Sequence, residues 1–365
     1  MLKKSLISIG LMPLFLSSAH ATASQATEIS GAVSTFYLTS SDDKVEDDFI
    51  AVLDVDAEGQ LASGKWHIYI EGTSTSKPGK VTSIYGESLA DAGGAADGNG
   101  DGRIQISTAE YYHPIGEGEL VMGLLFPNGF TESADWANDE TTQFLSSPFV
   151  NIQTSGAPDY ALGIGYLGKI NAQTSYSMLL SQAQGLGDLD GKYSTLFDEL
   201  DDYFFSSELV FQVDNIAFHT SVFASTLAQQ TFTTGNESAG SDKNYGINLS
   251  VGIESQLGHF LLRYGYANQQ VNEMSDFIGL SWQQSFDTWA FGLGLSHSIV
   301  SDKFEAVSQA QLKNTTQFEG YIKYHGFEHF HLTAAIGRIN HSAFGQTDAI
   351  DSQPNILTLR ASYEF

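Results

Sequence analysis

The sequence predicts an all-β fold: a transmembrane antiparallel β-barrel of about 16 strands, with short periplasmic turns and long outer loops. Three observations predict it. The N-terminus has the pattern of an export signal, the chain ends in an alternating strand with a terminal Phe, and short and long connections alternate between the strands. Helices and closed barrels are the structures that cross a bilayer with their backbone groups satisfied. Beyond the signal, no run reaches the roughly 18 apolar residues that a helix needs.

The first 21 residues have the three parts of a secretory signal peptide. Two lysines supply the positive region, an apolar stretch follows, and residues 19–21 read Ala-His-Ala, a small-residue cleavage site. Cleavage after residue 23 is an alternative on the same pattern. We therefore expect residues 1–21 to be removed and residues 22–365 to form a single barrel domain in the outer membrane of a Gram-negative bacterium.

Composition restricts the partners of the chain. Cys is absent, so an exported chain of this kind is not held together by disulfides. The signal carries two Lys and no acid, which leaves 14 Lys and Arg against 43 Asp and Glu, a formal charge of −29. This acidity argues against nucleic acid as a partner. It suits a surface that binds divalent cations, or a lumen that tolerates cations and neutral solutes; outer-membrane lipid and lipopolysaccharide are the expected surroundings.

The C-terminus carries the most specific single signal. From 357 to 365, every second residue is Leu, Leu, Ala, Tyr and Phe, and the residues between them are polar. Strict alternation indicates a β-strand with one apolar face. An open strand of this kind would be an aggregation risk, and closure against the first strand of a barrel removes that risk.

The same alternation recurs along the chain and defines the other strands. We predict strands at 29–38, 51–59, 64–74, 103–114, 118–127, 160–168, 172–183, 204–214, 215–226, 243–256, 258–269, 276–286, 289–301, 315–326, 330–342 and 355–365. In the third strand, the polar side contains Lys, His, Tyr and Glu, a set too polar for a dry core. The apolar side is therefore expected to face lipid and the polar side to face water.

The connections alternate in length. Those from even to odd strands are short, as at Asp214-Asn215, whereas those from odd to even strands are mostly long, as at 75–102 and 128–159. Bacterial barrels have short periplasmic turns and long outer loops, so both chain ends are expected in the periplasm.

Loop 128–159 combines carboxylates with aromatic side chains. The residues that we predict to form a pore constriction here are Glu132, Asp135, Trp136, Asp139 and Glu140. A wholly solvated loop would not need so many aromatics, so we expect the loop to fold into the barrel and narrow it. An outer loop closed by an aromatic knot is the alternative. Apolar faces beside carboxylates also suit sugars, which present C–H faces together with hydroxyl groups.

Four charged residues of the strands are assigned to the lumen by parity. They are Arg263, Glu319, Lys323 and Arg360, and each alternates with apolar neighbours. A charge on the lipid face near the midplane costs ~2–4 kcal/mol, which favours the inward direction. Basic wall residues opposite an acidic loop would create a transverse field that orients polar solutes. Solvated lumen residues without a selective role are the alternative.

A second motif matches the start of a calcium loop. Its oxygen ligands would come from Asp97, Asn99 and Asp101 and from the carbonyl of Arg103. The twelfth position is Thr108 instead of Glu, so the bidentate ligand is missing unless Asp91 or Glu110 takes its place. A Ca²⁺ loop and a plain Gly/Asp-rich turn therefore both stay open, and no other cofactor is expected.

Enzyme motifs are not found: the sequence contains neither G-x-S-x-G nor H-E-x-x-H. We therefore expect a barrel that is not an enzyme. An outer-membrane protease or lipase is the main enzyme alternative, and such barrels usually have fewer strands.

Several segments resemble the OprB-like carbohydrate-selective porins. The stretch 141–151 contains F-x-x-x-x-F-x-N, and 157–165 contains the P-x-Y strand start that follows it in that family. Residues 353–355 and the Glu319-Gly-Tyr-Ile segment before Lys323 also resemble that family, so the likeness covers about a third of the chain. The resemblance implies a sixteen-stranded pore that admits monosaccharides or small oligosaccharides. A cation-preferring general diffusion porin and a structural or adhesive barrel are the alternatives, and a homotrimer is left open.

Overall fold

The computed structural model describes residues 27–74, 76–77, 79–85, 102, 104–132, 143–152, 154, 156–186, 193–197, 202–226, 244–268, 274–302, 313–340 and 353–365. The signal-peptide prediction falls outside these residues and stays a prediction.

Sixteen strands account for nearly all of the regular structure. They are β1 (Glu28–Ser40), β2 (Asp48–Leu61), β3 (Gly64–Thr73), β4 (Ile104–Ile115), β5 (Gly118–Leu125), β6 (Ala161–Asn171), β7 (Thr174–Gln182), β8 (Tyr203–Val213), β9 (Ile216–Ser225), β10 (Asn244–Ser255), β11 (Gly258–Asn268), β12 (Met274–Phe286), β13 (Trp289–Val300), β14 (Thr315–Phe327), β15 (Phe330–Asn340) and β16 (Asn355–Glu364). The described helices are short: α1 (Val81–Tyr85), α2 (Ser147–Val150) and the 3₁₀ turns Pro127–Phe130 and Thr195–Phe197. No helix in the described part of the chain is long and apolar enough to cross a membrane.

The sheet closes on itself, which confirms the predicted antiparallel sixteen-stranded barrel. Each strand pairs with its neighbours in the chain, and β1 pairs with β16 from Ala32 opposite Glu364 to Ser40 opposite Ile356. The backbones of Gly31 and Phe365 exchange hydrogen bonds of 3.1 and 3.0 Å at the seam. The terminal strand therefore has no free edge, as its alternating sequence required.

The strand ends differ from the predicted ones by a few residues. The ladder of β6 continues to Asn171, three residues beyond the predicted end, and stops at a two-residue turn. Asp214, Asp287 and His329 take positive φ angles of 50°, 48° and 61° in such turns. After Gly, Asn, Asp and His are the residue types that tolerate the left-handed conformation best. The strands therefore end at these polar turn residues, a boundary that the alternation of apolar residues does not indicate.

The two faces of the wall differ in the way that the alternation predicts. On β11, Leu262 and Tyr264 are exposed on the outside, whereas Leu261 and Arg263 are buried on the inside. Exposed aliphatic and aromatic side chains recur on the outer face of strands around the barrel. A broad apolar exterior of this kind suits contact with lipid.

Apolar residues also pack inside the barrel, both on the wall and on the connections. Inner-face residues of β1 and β2, including Phe36 and Ile50, form one cluster with Val81 of α1 and with Phe144 and Phe149 of the segment after β5. Part of the lumen is therefore filled by two connections instead of by water.

Candidate functional site

The connection between β5 and β6 lies against the inner wall in its described parts. The carbonyl of Phe130 accepts hydrogen bonds from the hydroxyls of Ser177 on β7 and Ser206 on β8, at 3.2 and 3.5 Å. The carbonyl of Thr131 accepts one from Ser221 on β9 at 2.5 Å. All three hydroxyls belong to buried, inward-facing residues. The chain therefore turns into the barrel directly after β5.

A buried ion pair connects the two described parts of this connection, residues 127–132 and 143–152, which we call the inserted segment. Arg263 of β11 lies 2.8 Å from Glu132, and their side chains are 1% and 5% exposed. The second oxygen of Glu132 accepts the backbone N–H of Ile152 at 2.6 Å. Arg263 also donates to the carbonyls of Pro148 and Val150, at 2.7 and 3.1 Å. One guanidinium thus fixes both the start and the end of the segment on the wall, with charge-assisted hydrogen bonds.

The ionisation of Glu132 depends on this contact. Burial raises the pKa of the Glu132 carboxyl above its ordinary value, while the Arg263 guanidinium and the Ile152 N–H both lower it. Arg263 and the backbone N–H of Ile152 both donate to Glu132 and therefore favour its carboxylate form. Loss of either partner would leave a buried acid without its compensation.

A second charged residue of the wall, Glu319 of β14, binds the backbone of the segment at Leu145 and Ser146. The two oxygens of Glu319 accept the backbone N–H groups of Leu145 and Ser146, at 2.8 and 2.7 Å. The carboxylate is buried. The Glu319 carboxylate thus gives a hydrogen-bond acceptor to two adjacent backbone N–H groups, which lie just before α2 and would otherwise lack a partner.

The third wall contact comes from the last strand. Arg360 of β16 donates to the carbonyl of Gln143 at 3.0 Å and to the hydroxyl of Thr333 at 3.1 Å. Together with Arg263 and Glu319, it makes a set of three buried wall charges that hold residues 143–152. We call this set the wall anchors.

Aromatic packing completes the contact with the wall. The ring of Phe144 meets Phe149 at 5.2 Å and stands edge-on to Tyr321 of β14 at 5.0 Å between centroids. Gly294 lies beneath Phe149, where an added Cβ would come within 2.7 Å of the ring. Only a residue without a side chain admits the ring at this distance.

The predicted constriction residues are placed only in part. Glu132, Arg263, Glu319 and Arg360 come together in the anchored segment, and Lys323 lies half-buried on the inner face of β14. The residues of the constriction and calcium predictions that lie outside the described part of the chain are Asp135, Trp136, Asp139, Glu140, Asp97, Asn99, Asp101 and Arg103. Their roles stay predictions.

One group of inner-wall residues was not singled out from the sequence. Asp54 and Asp56 on β2, Glu71 on β3 and Glu110 on β4 form what we call the acidic strip. The signal that could have found it is the run of Asp at alternate positions in β2, facing the polar side of β3. Within the described residues, no group of His, Asp and Glu is arranged to hold a metal ion.

Comparison with known proteins bears on the fold. A structure of OprB from Pseudomonas putida, determined at high pH, matches with a TM-score of 0.72 over 93% of this chain and 94% of that one, at 12% identity. The chain has the fold of an outer-membrane porin. No protein-family model matches the sequence, and no curated protein is found as a relative.

Other solved porins share this fold less closely. The outer-membrane channel DcaP of Acinetobacter baumannii matches with a TM-score of 0.57 over 94% of this chain and 99% of that one, at 12% identity. A variant of the Rh. blastica porin matches with a TM-score of 0.54 over 93% of this chain and 100% of that one, at 11% identity. At such identities the likeness concerns the porin fold, and the solute has to be argued from the residues.

Proposed function

We propose that this chain is an outer-membrane porin that passes small hydrophilic solutes, carbohydrates foremost, through a water-filled barrel narrowed by loop 128–159. The observation that supports the proposal is the segment 143–152, which three buried wall charges hold against the inner wall of the barrel. A barrel with only a structural or adhesive role would have no need for a chain segment fixed inside it.

The carbohydrate preference is supported by two features. The sequence of the inserted segment resembles that of the OprB-like porins, and the fold matches the OprB structure. In addition, Trp136 and the carboxylates Asp135, Asp139 and Glu140 belong to the same loop. Aromatic faces with nearby acceptors bind the C–H faces and the hydroxyl groups of sugars together.

Liposome swelling tests this function. Purified protein in liposomes should admit monosaccharides and small oligosaccharides faster than amino acids of equal size. Equal rates for sugars and neutral amino acids, with faster uptake of cations, would favour a general diffusion porin with cation preference. Absence of swelling with a folded barrel would reject the pore and leave a structural or adhesive role.

We also propose that both chain ends lie in the periplasm, because the short turns all lie at the end of the barrel that holds the termini. An epitope tag inserted at 235–240 should be accessible on intact cells. A tag at the turn Asp214-Asn215 should become accessible only after permeabilisation. The opposite pattern of labelling would invert the orientation.

A further inference from the structure

The acidic strip is a set of carboxylates along three adjacent strands of the inner wall. Register places Asp54 opposite Glu71 and Asp56 opposite Tyr69 across β2 and β3, while His67 of β3 lies opposite Glu110 of β4. The strip is thus continuous in space although its members are far apart in the sequence.

Each carboxylate of the strip already accepts a hydrogen bond from a neighbouring strand or residue. Tyr69 donates to Asp54 Oδ1 at 2.6 Å, and Tyr112 donates to Glu110 Oε2 at 2.6 Å. Glu71 accepts a hydrogen bond from the hydroxyl of Ser107. Tyrosines and a hydroxyl therefore hold the carboxylates in place, which leaves their other lone pairs for a ligand.

Two basic side chains lie at the strip, and they do not balance it. The ring nitrogens of His67 lie 2.7 Å from Asp56 Oδ1 and 3.1 Å from Glu110 Oε2. Lys65 lies 3.5 Å from Glu119, a further carboxylate, and 4.6 Å from the ring centroid of Tyr112. Four strip carboxylates and Glu119 thus face one lysine and one histidine, so the local charge is negative.

Two buried acceptors, one in the strip and one beside it, have no donor among the described residues. Asp54 is 7% exposed, and its Oδ2 has no hydrogen-bond partner in the described structure. Gln105, which is 6% exposed and donates to Glu71, likewise leaves its Oε1 without a partner. Buried acceptors are normally satisfied, so two unpartnered acceptors at the strip point to a donor that comes from the solute or the solvent.

We infer that the acidic strip binds solutes that carry a protonated amine as they pass through the barrel. An ammonium group has three N–H donors and a positive charge. The donors can bind the unpartnered acceptors, and the charge is attracted by the carboxylates of the strip. A bare metal ion fits less well, because the described residues offer no group of ligands placed around one point. Asp56, whose side chain is 43% exposed, gives the solute access to the strip.

This inference rests on the proposed pore function and adds the class of solute. A carbohydrate pore with an acidic strip favours amino sugars over their neutral counterparts. Glucosamine and glucose differ by one amino group, so the pair isolates the contribution of the charge.

The experiment compares uptake of protonated glucosamine and of glucose by liposomes that hold the full-length protein. Wild type should take up glucosamine faster. In the double variant Asp54→Asn, Asp56→Asn, the ratio of glucosamine uptake to glucose uptake should fall about fivefold. This is the factor that corresponds to about one contact between opposite charges at ~4 Å in water. Its glucose uptake should stay the same. Glu328→Gln, on the turn between β14 and β15 with a side chain that is 91% exposed, removes one acid outside the strip and should change neither rate.

The outcomes separate the two proposals. An unchanged preference for glucosamine in the double variant, with normal glucose uptake, overturns the strip and leaves the pore intact. Absence of uptake of either sugar by the wild type overturns both. Where the double variant does not assemble, Asp56→Asn alone tests the charge of the strip, because its side chain is 43% exposed and the amide keeps an oxygen to face His67.

Discussion

Replacing Arg263 by Met should release the inserted segment and destabilise the barrel. The substitution keeps much of the apolar bulk but leaves Glu132 buried without its counter-charge and the carbonyls of Pro148 and Val150 without donors. Breaking a buried pair by removing one partner costs ~3–5 kcal/mol. In urea unfolding of the protein in lipid vesicles, the free energy of unfolding should fall by this amount and the midpoint should move to lower urea concentration.

The same variant should change the pore itself. With its main anchor removed, the segment should move within the lumen, and single-channel recordings should show a larger and noisier conductance than those of wild type. Lys169→Met is the matched control, because it removes one positive charge at an exposed position near the turn between β6 and β7. It should leave both the unfolding curve and the conductance unchanged.

A compensating change sharpens this test. Adding Glu132→Gln to Arg263→Met removes the buried uncompensated charge, and the amide oxygen still accepts the N–H of Ile152. The double variant should recover ~0.5–3 kcal/mol relative to the single one, the usual coupling between residues in contact. Identical unfolding and conductance in wild type and Arg263→Met would mean that the pair does not hold the segment.

The strands could be predicted from the sequence because period-2 alternation is a local property of the chain. Trp289 to Leu295 alternate with small residues, and the strand forms there, from Trp289 to Val300. The register shift at which Tyr69 and Ile70 pair with Thr108 and Ile106 has no such local signal. It arises from the pairing of β3 with β4, so only the assembled sheet reveals it.

The partners of the wall charges could not be predicted from the sequence. Glu319 receives two backbone N–H groups that lie 173 and 174 residues away in the chain. Arg360 likewise donates to a backbone carbonyl, that of Gln143. Backbone groups are alike in nearly every residue, so no pattern of side chains in the sequence indicates which of them a wall charge will bind. The sequence suggested a transverse field between basic wall and acidic loop, whereas Arg263 and Glu132 are in direct contact.

The acidic strip was missed for a related reason. Asp54 and Asp56 are neighbours in β2, but Glu71 and Glu110 join them only through the register of three strands. Parity gives the face on which a side chain lies, and it does not give the height at which neighbouring strands pair. Charges that are scattered in the sequence can therefore form one surface in the barrel.

The position of the inserted segment can be trapped directly, because the chain contains no Cys. An added Cβ at Gly337 of β15 would lie 3.7 Å from the hydroxyl oxygen of Ser146. That oxygen is one bond beyond the Cβ of residue 146, and the Cβ atoms of a disulfide lie about 3.5–4.5 Å apart, so cysteines at these two positions reach bonding distance with a small shift of the segment. Gly320 of β14, between the exposed Phe318 and Ile322, faces the outside and supplies a control position.

The decisive measurement is the fraction of disulfide formed in the folded double variant Ser146→Cys, Gly337→Cys. It is read as a shift in gel mobility that a reductant reverses. We predict nearly complete oxidation for this pair and free thiols for Ser146→Cys, Gly320→Cys, because the segment lies on the inner wall and the control residue lies outside. Free thiols at both 146 and 337 in an assembled barrel would show that residues 143–152 do not lie in the lumen, and would contradict the constricted pore.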